Sequence, residues 1–311
     1  MKRAALTLLC LLTAFSLLLP AALADPVPVD SPEALPDTAD NGFLPVGAQP
    51  VYYRDHAAGH WIYLSDSLRL EIVRYHSQKP LMTWYLADIV CAPGTSLYTV
   101  TWNEKRPGRT NGLPQDMAKK ARAVYAQNGD FYSYRVKQDR YPGHIVRNGK
   151  VLYKKSYSKM VHAVPNLATM GFYPSGRAEV NESWEKTGKQ YISEGAETVL
   201  AFGPVLLKNG EIQDLSDSAY THREPRSCFG VIDNGHYVGL VVEDRNGRSE
   251  GATLKECAEI LSDIGCWDAL NLDGGNTTAM LFLGESVMQN SAGGVLVNDR
   301  AIPDILAVGQ Y

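Results

Sequence analysis

Five short stretches of this chain put carboxylates, arginines, amides and hydroxyls where a backbone usually bends. The first is NLDGGNTTAM at residues 271–280. An apolar strand delivers Asp273 to its end, and Gly274 and Gly275 let the chain turn and come close to a ligand. Asn276, Thr277 and Thr278 then add an amide, hydroxyls and main-chain N–H groups, a cradle suited to phosphate or sugar oxygens. The second stretch, REPRSCFG at 223–230, holds two arginines, and a guanidinium is well shaped for bidentate phosphate recognition. Arg226 is the stronger candidate, because Ser227 and Cys228 already begin a buried strand beside it. The third, EDRNGRSEG at 243–251, carries Asp244 and Arg245 between a strand and a helix, a common place for ligands. The fourth, NGDFY at 128–132, offers the Asn128 amide and Asp130 as a second carboxylate. The fifth is Gly203-Pro204, which interrupts a strand so that backbone can face a pocket. Read structurally, the same residues make a Gly-rich hairpin capped by Asp273 and a set of solvated charged turns. No serine-hydrolase elbow, HExxH, Walker loop or strand-linked GxGxxG accompanies them. This inventory suits glycosyl or phosphoryl transfer more than acyl transfer.

The elements that must hold these groups are mostly strands. Asn148-Gly149, Asn209-Gly210 and Asn234-Gly235 each separate two apolar runs, the signature of tight hairpins. Further strands are expected at 61–64, 68–74 and 82–89. One helix is expected to open at Pro114 and run toward Asn128. A second is capped by Thr253 with Glu256. Leu254, Cys257, Ala258, Leu261 and Ile264 form its apolar stripe, and Gly265 ends it. The short strand 269–272 follows and runs into Asp273. The fold class is therefore α+β: mixed, largely antiparallel β-sheets with hairpins, packed by a few helices.

The chain has 311 residues, 30 basic against 34 acidic, 45% hydrophobic and 21% charged, which excludes a disordered polymer. The formal charge of −4 gives no electrostatic reason to expect nucleic acid or an anionic membrane as partner. Lys2 and Arg3 precede an apolar run at 4–19, and Ala22-Leu23-Ala24 supplies a small-x-small cleavage pattern, so 1–24 reads as a signal peptide. That run is short for a spanning helix, no stop-transfer charges follow it, and no second run approaches spanning length. A secreted or cell-envelope location follows. Residues 25–50 carry six prolines and read as an extended linker. Cys91, Cys228, Cys257 and Cys266 form no CxxC pair, which argues against zinc, and either disulfides or buried free thiols fit them.

In this order NGDFY, AFGPVLL, RSCFG, EDRNGRSEGATL with its helix, and ALNLDGGNTTAM resemble the phosphodiester glycosidase family, over about residues 100–308. The resemblance divides the mature chain into a β-rich region at 51–98 and a phosphodiester glycosidase-like domain at 99–311. It implies hydrolysis of a sugar-1-phosphodiester, the family's best-known case being removal of N-acetylglucosamine from a phosphodiester on mannose. Asn128, Gly129, Gly203, Pro204, Arg226, Gly230, Asp244, Gly251, Asn271, Asp273, Gly274 and Gly275 sit on family-type positions. It points to Asp273, Asp244, Arg226 and Asn128 for the chemistry. Gly274, Gly275, Asn276, Thr277, Thr278, Asp130, Gly203 and Arg245 are then expected at the substrate. Arg245 replaces a glycine, Asn276 a third glycine, Thr277 a serine and Ala279 a threonine. No cofactor is required by this chemistry. Two other readings take the same residues: a non-catalytic carbohydrate-binding envelope module, or Asp244 and Asp273 holding Ca2+.

Overall fold

The computed structural model describes residues 24–130, 132–157, 167–217, 221–243, 247–288 and 300–311. In chain order these form β1 (Val27–Pro28), β2 (Val51–Asp55), β3 (His60–Leu64), β4 (Leu68–Gln78), β5 (Leu81–Cys91), β6 (Tyr98–Thr101), α1 (Pro114–Ala121) and β7 (Ala123–Asn128). Next come α2 (Tyr132–Lys137), β8 (Gly143–Arg147), β9 (Lys150–Lys155), β10 (Ala168–Phe172), β11 (Ala178–Asn181), α3 (Gly188–Ser193), β12 (Thr198–Phe202), β13 (Val205–Lys208) and β14 (Glu211–Ile212). The last are β15 (Arg226–Asp233), β16 (His236–Val242), α4 (Leu254–Asp263), β17 (Asp268–Asn271), β18 (Met280–Phe282), β19 (Glu285–Ser286) and β20 (Asp304–Gln310).

Strands dominate, and the helices are few and short. A ten-stranded sheet runs in the order β1-β2-β3-β4-β5-β16-β15-β17-β13-β14, and two five-stranded sheets run β11-β10-β12-β8-β9 and β19-β18-β7-β20-β6. Among the described residues only β1 and β2 pair in parallel. The 51–91 strands are continuous with the rest through β5 and β16, which pair from His236↔Val90 to Val242↔Trp84. The 25–50 segment lies against this sheet rather than extending away: Val27 pairs with Val51, and Phe43 and Leu44 are buried. The expected signal peptide falls on residues of which all but Ala24 lie outside those described.

The main core joins Trp61, Leu70, Ile72 and Tyr85 of the large sheet to Tyr125, Met170, Leu200 and Leu306 of the two smaller ones. Helix α4 covers the opposite face of the large sheet with Leu254, Cys257, Ala258 and Leu261. Helix α1 packs Met117 and Ala118 on Ala126, Ile305 and Ala307. One buried amide ties the sheets together. Gln127 Nε2 donates to Ser227 Oγ at 2.8 Å and to the Cys228 carbonyl at 3.0 Å, while Tyr125 Oη donates to Gln127 Oε1 at 2.5 Å. Gly239 is obligatory there, since a Cβ would sit 2.0 Å from Tyr125 Oη.

The hairpins at Asn148-Gly149 and Asn209-Gly210 form with both residues at positive φ, the requirement of a tight I′ turn. The Asn234-Gly235 turn joins β15 to β16. Helix α4 has the full Thr253/Glu256 capping box. The helix from Pro114 stops at Ala121 instead of running toward Asn128. Arg122 takes a left-handed φ of 52°, and Ala123–Asn128 becomes a fully buried strand between β18 and β20. Burial on both faces, which alternation along a sequence does not reveal, decides for strand. All four described cysteines are buried free thiols.

Candidate active site

The site is built where β7 and β17 end and β20 begins. Asn271 closes β17 opposite Cys228 and fixes the Gly203-Pro204 bend: its Nδ2 donates to the Gly203 carbonyl at 2.8 Å, and its own carbonyl accepts the Gly203 N–H. Gly203 thus shapes the strand junction rather than the cleft lining. Two residues on, Asp273 begins the glycine turn. A Cβ on Gly274 would lie 2.5 Å from the Pro225 carbonyl, and Gly275 has φ +62°. Only glycines let the loop pass this close to the start of β15.

Asn128 clamps both ends of that loop. Its Nδ2 donates to the Asp273 carbonyl at 2.7 Å, and its Oδ1 accepts the Ala279 N–H at 2.9 Å. Asn128 therefore positions the loop, with its amide committed to main chain. Thr277 Oγ1 lies 2.7 Å from Asp273 Oδ2 and donates to it. The N–H groups of Gly275, Thr277 and Thr278 donate to the carbonyls of Pro225, Gly274 and Gly275 respectively. The phosphate cradle expected of this loop is not laid out by those three amides, because the Pro225 carbonyl and the short helical turn already take them. Asn276 is exposed beside them.

Asp130 does not act alone. Arg147, at the end of β8, donates from Nη2 to Asp130 Oδ1 at 2.5 Å and from Nε to Asp304 Oδ2 at 2.7 Å. Arg147 Nη1 meets the Val146 and Val199 carbonyls, and the Ala201 N–H donates to Asp130 Oδ2 at 2.6 Å. Asp304 Oδ1 is buried without a partner among the described residues, beside Gly129, where a Cβ would come within 3.1 Å of it. Asn128, Gly129, Asp130, Asp273, Thr277 and Asp304 line a narrow polar cleft. It is closed as it stands, without room for a water molecule, far below the ~300–1,000 Å³ of typical ligand pockets.

The charges of this cleft are unbalanced. Arg135 of α2 is buried, with Nη2 donating to the Ala201 carbonyl and Cζ 5.4 Å from the Phe202 ring centroid. Burial pulls its guanidinium below the ordinary value, against the attraction of Asp130 and Asp273. Burial pushes Asp130 and Asp304 upward while Arg147 opposes the rise. Asp273 is half-buried, and desolvation pushes its carboxyl up to about 6, against the Thr277 hydroxyl, Arg135 and Arg300. Three carboxyls thus share two buried guanidiniums. Asp273, the acid outside the Arg147 pair and raised to about 6, is the one placed to exchange a proton near neutrality.

Arg226 stands on the strand next to the glycine turn, and its guanidinium points elsewhere. Nε donates to the Ala252 carbonyl at 3.0 Å and Nη2 to the His222 carbonyl at 2.6 Å. The ladder explains this: Arg226 opposes Val242, which opposes Trp84, and this row faces α4. The cations acting on Asp273 are Arg135 and Arg300 instead. Asp244 and Arg245 lie outside the described residues. Beside them, Glu243 is buried, accepting the Tyr85 hydroxyl at 2.7 Å and Arg248 Nη2 at 3.3 Å. Among the described residues no group of three or more His, Cys, Asp or Glu side chains is placed to hold a metal ion. Arg135, Arg147, Arg300 and Asp304 escaped the sequence reading. Each is a lone charge in its own segment, and only the strand ends bring them together.

The site is thus an acid on a glycine turn, clamped by an asparagine and set in a buried field of arginines and aspartates. Residues 121–309 match the phosphodiester glycosidase family, and the chain belongs to it. The fold is similar to the catalytic domain of the zebrafish N-acetylglucosamine-1-phosphodiester α-N-acetylglucosaminidase auto-inhibited by its pro-peptide, with TM-score 0.61 and 16% identity over 79% of this chain and 85% of that one. It is also similar to a hypothetical protein from Synechocystis, with TM-score 0.57 and 13% identity over 85% of this chain and 64% of that one. A stretch of 140 residues is 27% identical to an uncharacterized SPbeta prophage-derived protein, YomE, of Bacillus subtilis. That match covers 44% of this chain and 21% of the prophage protein. Among the described residues no helix is long and apolar enough to cross a membrane.

Proposed function

We propose that this protein is an exported hydrolase that cleaves the bond between a sugar anomeric carbon and a phosphate oxygen, in a sugar-1-phosphodiester of envelope or extracellular polysaccharide. The observation that carries the reading is Asp273. A family glycosidase needs a carboxyl at the reacting centre, and this one is half-buried, raised to about 6 and oriented by Thr277. As the glycosidic bond breaks, its electron pair leaves with the phosphate oxygen and the sugar passes through an oxocarbenium-like state. The departing phosphate is already stable as an anion, so protonation matters less than field stabilisation. Arg135 and Arg300 supply that field on the Asp273 side. Asp273 as carboxylate stabilises the cationic sugar and takes the proton of the attacking water.

The test is incubation of an alkyl phosphodiester of N-acetylglucosamine-1-phosphate with the purified protein, following free sugar. Wild type releases it, Asp273→Asn loses at least about a hundredfold in rate, and Arg300→Ala loses more on this substrate than on an aryl glycoside. Recovery of intact phosphodiester from bound protein identifies a binding module instead.

A further inference from the structure

A second concavity lies at the β8–β9 edge of the β11-β10-β12-β8-β9 sheet. It is an open groove of about 430 Å³ whose walls include Tyr141, Tyr157 and Trp184, with Lys154 and Lys155 at its rim and His144 at its base. Trp184 is 57% exposed and Tyr141 45%, so both present aromatic surface to solvent. The Tyr141 and Tyr157 rings stand 5.2 Å apart, tilted by 38°, and Lys155 Nζ lies 5.9 Å from the Tyr141 centroid. Ser183 Oγ donates to the Tyr157 carbonyl at 2.8 Å and fixes that wall. His144 is only 7% exposed, yet its Nδ1 has no hydrogen-bond partner among the described residues. Burial lowers the imidazole pKa, against the backbone of Ser183, so the ring is neutral at pH 7.

We propose that this groove binds an anionic glycan chain, the continuation of the substrate beyond its scissile bond. Exposed aromatic faces stack on the C–H faces of sugar rings, a buried imidazole nitrogen meets a sugar hydroxyl, and lysines at the rim meet phosphate or carboxylate. Proximity to the active cleft supports this: Arg135 of α2 lies within electrostatic reach of both Tyr157 in the groove wall and Asp273. Single-stranded nucleic acid also uses aromatic platforms with cations. Here two lysines on a chain of net charge −4 disfavour it. The link to hydrolysis rests on the proposed function; the binding does not.

Isothermal titration of the full chain, in an Asp273→Asn background that keeps ligands intact, reads the binding directly. The probes are a phosphodiester-linked oligosaccharide, a uronic-acid oligosaccharide, a neutral dextran oligosaccharide and a single-stranded DNA oligomer. Trp184→Ala weakens charged-oligosaccharide binding about tenfold, one aromatic stack's worth. Lys154→Ala with Lys155→Ala weakens the charged probes and leaves the neutral one unchanged. The two charged arms show whether phosphate or carboxylate is preferred. With Asp273 restored, turnover of a small alkyl sugar-1-phosphodiester stays at wild-type level in both variants, whatever its absolute rate. Absence of binding to either charged oligosaccharide, affinities unmoved by these substitutions, or tighter binding of DNA overturns the proposal. Lack of turnover alone, with the binding intact, overturns only the hydrolase reading.

Discussion

Asn128 shows how much one side chain does here without touching a reacting atom. Its two bonds, to the Asp273 carbonyl and the Ala279 N–H, hold the glycine turn closed. Asn128→Ala removes both partners from buried main chain and is expected to cost about 1–3 kcal/mol in denaturant unfolding. It should also lower kcat while leaving binding of product sugar nearly unchanged. Asp273 acts in the opposite sense on stability. Its folded carboxyl titrates near 6 against an ordinary 3.8, so between those values the folded state holds more protons than the unfolded one. Stability therefore falls as pH rises through that window, and the deficit persists at pH 7. Asp273→Asn should raise stability at pH 7 by about 2 kcal/mol, with the gain shrinking toward zero by about pH 4. A variant less stable than wild type at pH 7 would make Asp273 a structural cap. These two residues were legible in the sequence because glycines flank them. Arg147 was not: its partners lie 17 and 157 positions away, and no local pattern marks such a pair.

Among the elements, local chemistry decided what the sequence could reveal. The Asn-Gly turns and the Thr253/Glu256 box carry their geometry within a few residues, and all formed as read. Thr253→Ala should remove one cap and lower Tm by about 2–4 °C without changing kcat, as a thermal melt beside an activity assay will show. Strand β7 was misread as helix because its environment is not local. Two neighbouring strands pair with it, and packed faces lie on both sides. The same limit hid the orientation of Arg226. Its place beside the turn follows from sequence order, whereas the face it points to follows from register with Val242 and Trp84.

At the scale of the molecule, the cleft exists because three sheets meet at one set of strand ends. Gln127 ties the large sheet to the β7 sheet, and Arg147 ties that sheet to the β8 sheet through Asp130 and Asp304. Arg147→Ala leaves two buried carboxyls without their cation, an expected loss of about 3–5 kcal/mol at pH 7. The loss should be smaller at pH 5, where those carboxyls, already pushed upward by burial, take up protons more readily. Fold class and the glycine turn were thus readable from the chain, while the ion network holding the sheets in register was not. The central claim concerns which bond breaks. Hydrolysis of a sugar-1-phosphodiester in water enriched in the heavy oxygen isotope tests it most directly. Cleavage at the anomeric carbon puts the label in the released sugar and none in the phosphate. Label in the phosphate, or no turnover of any sugar-1-phosphodiester, would contradict the account.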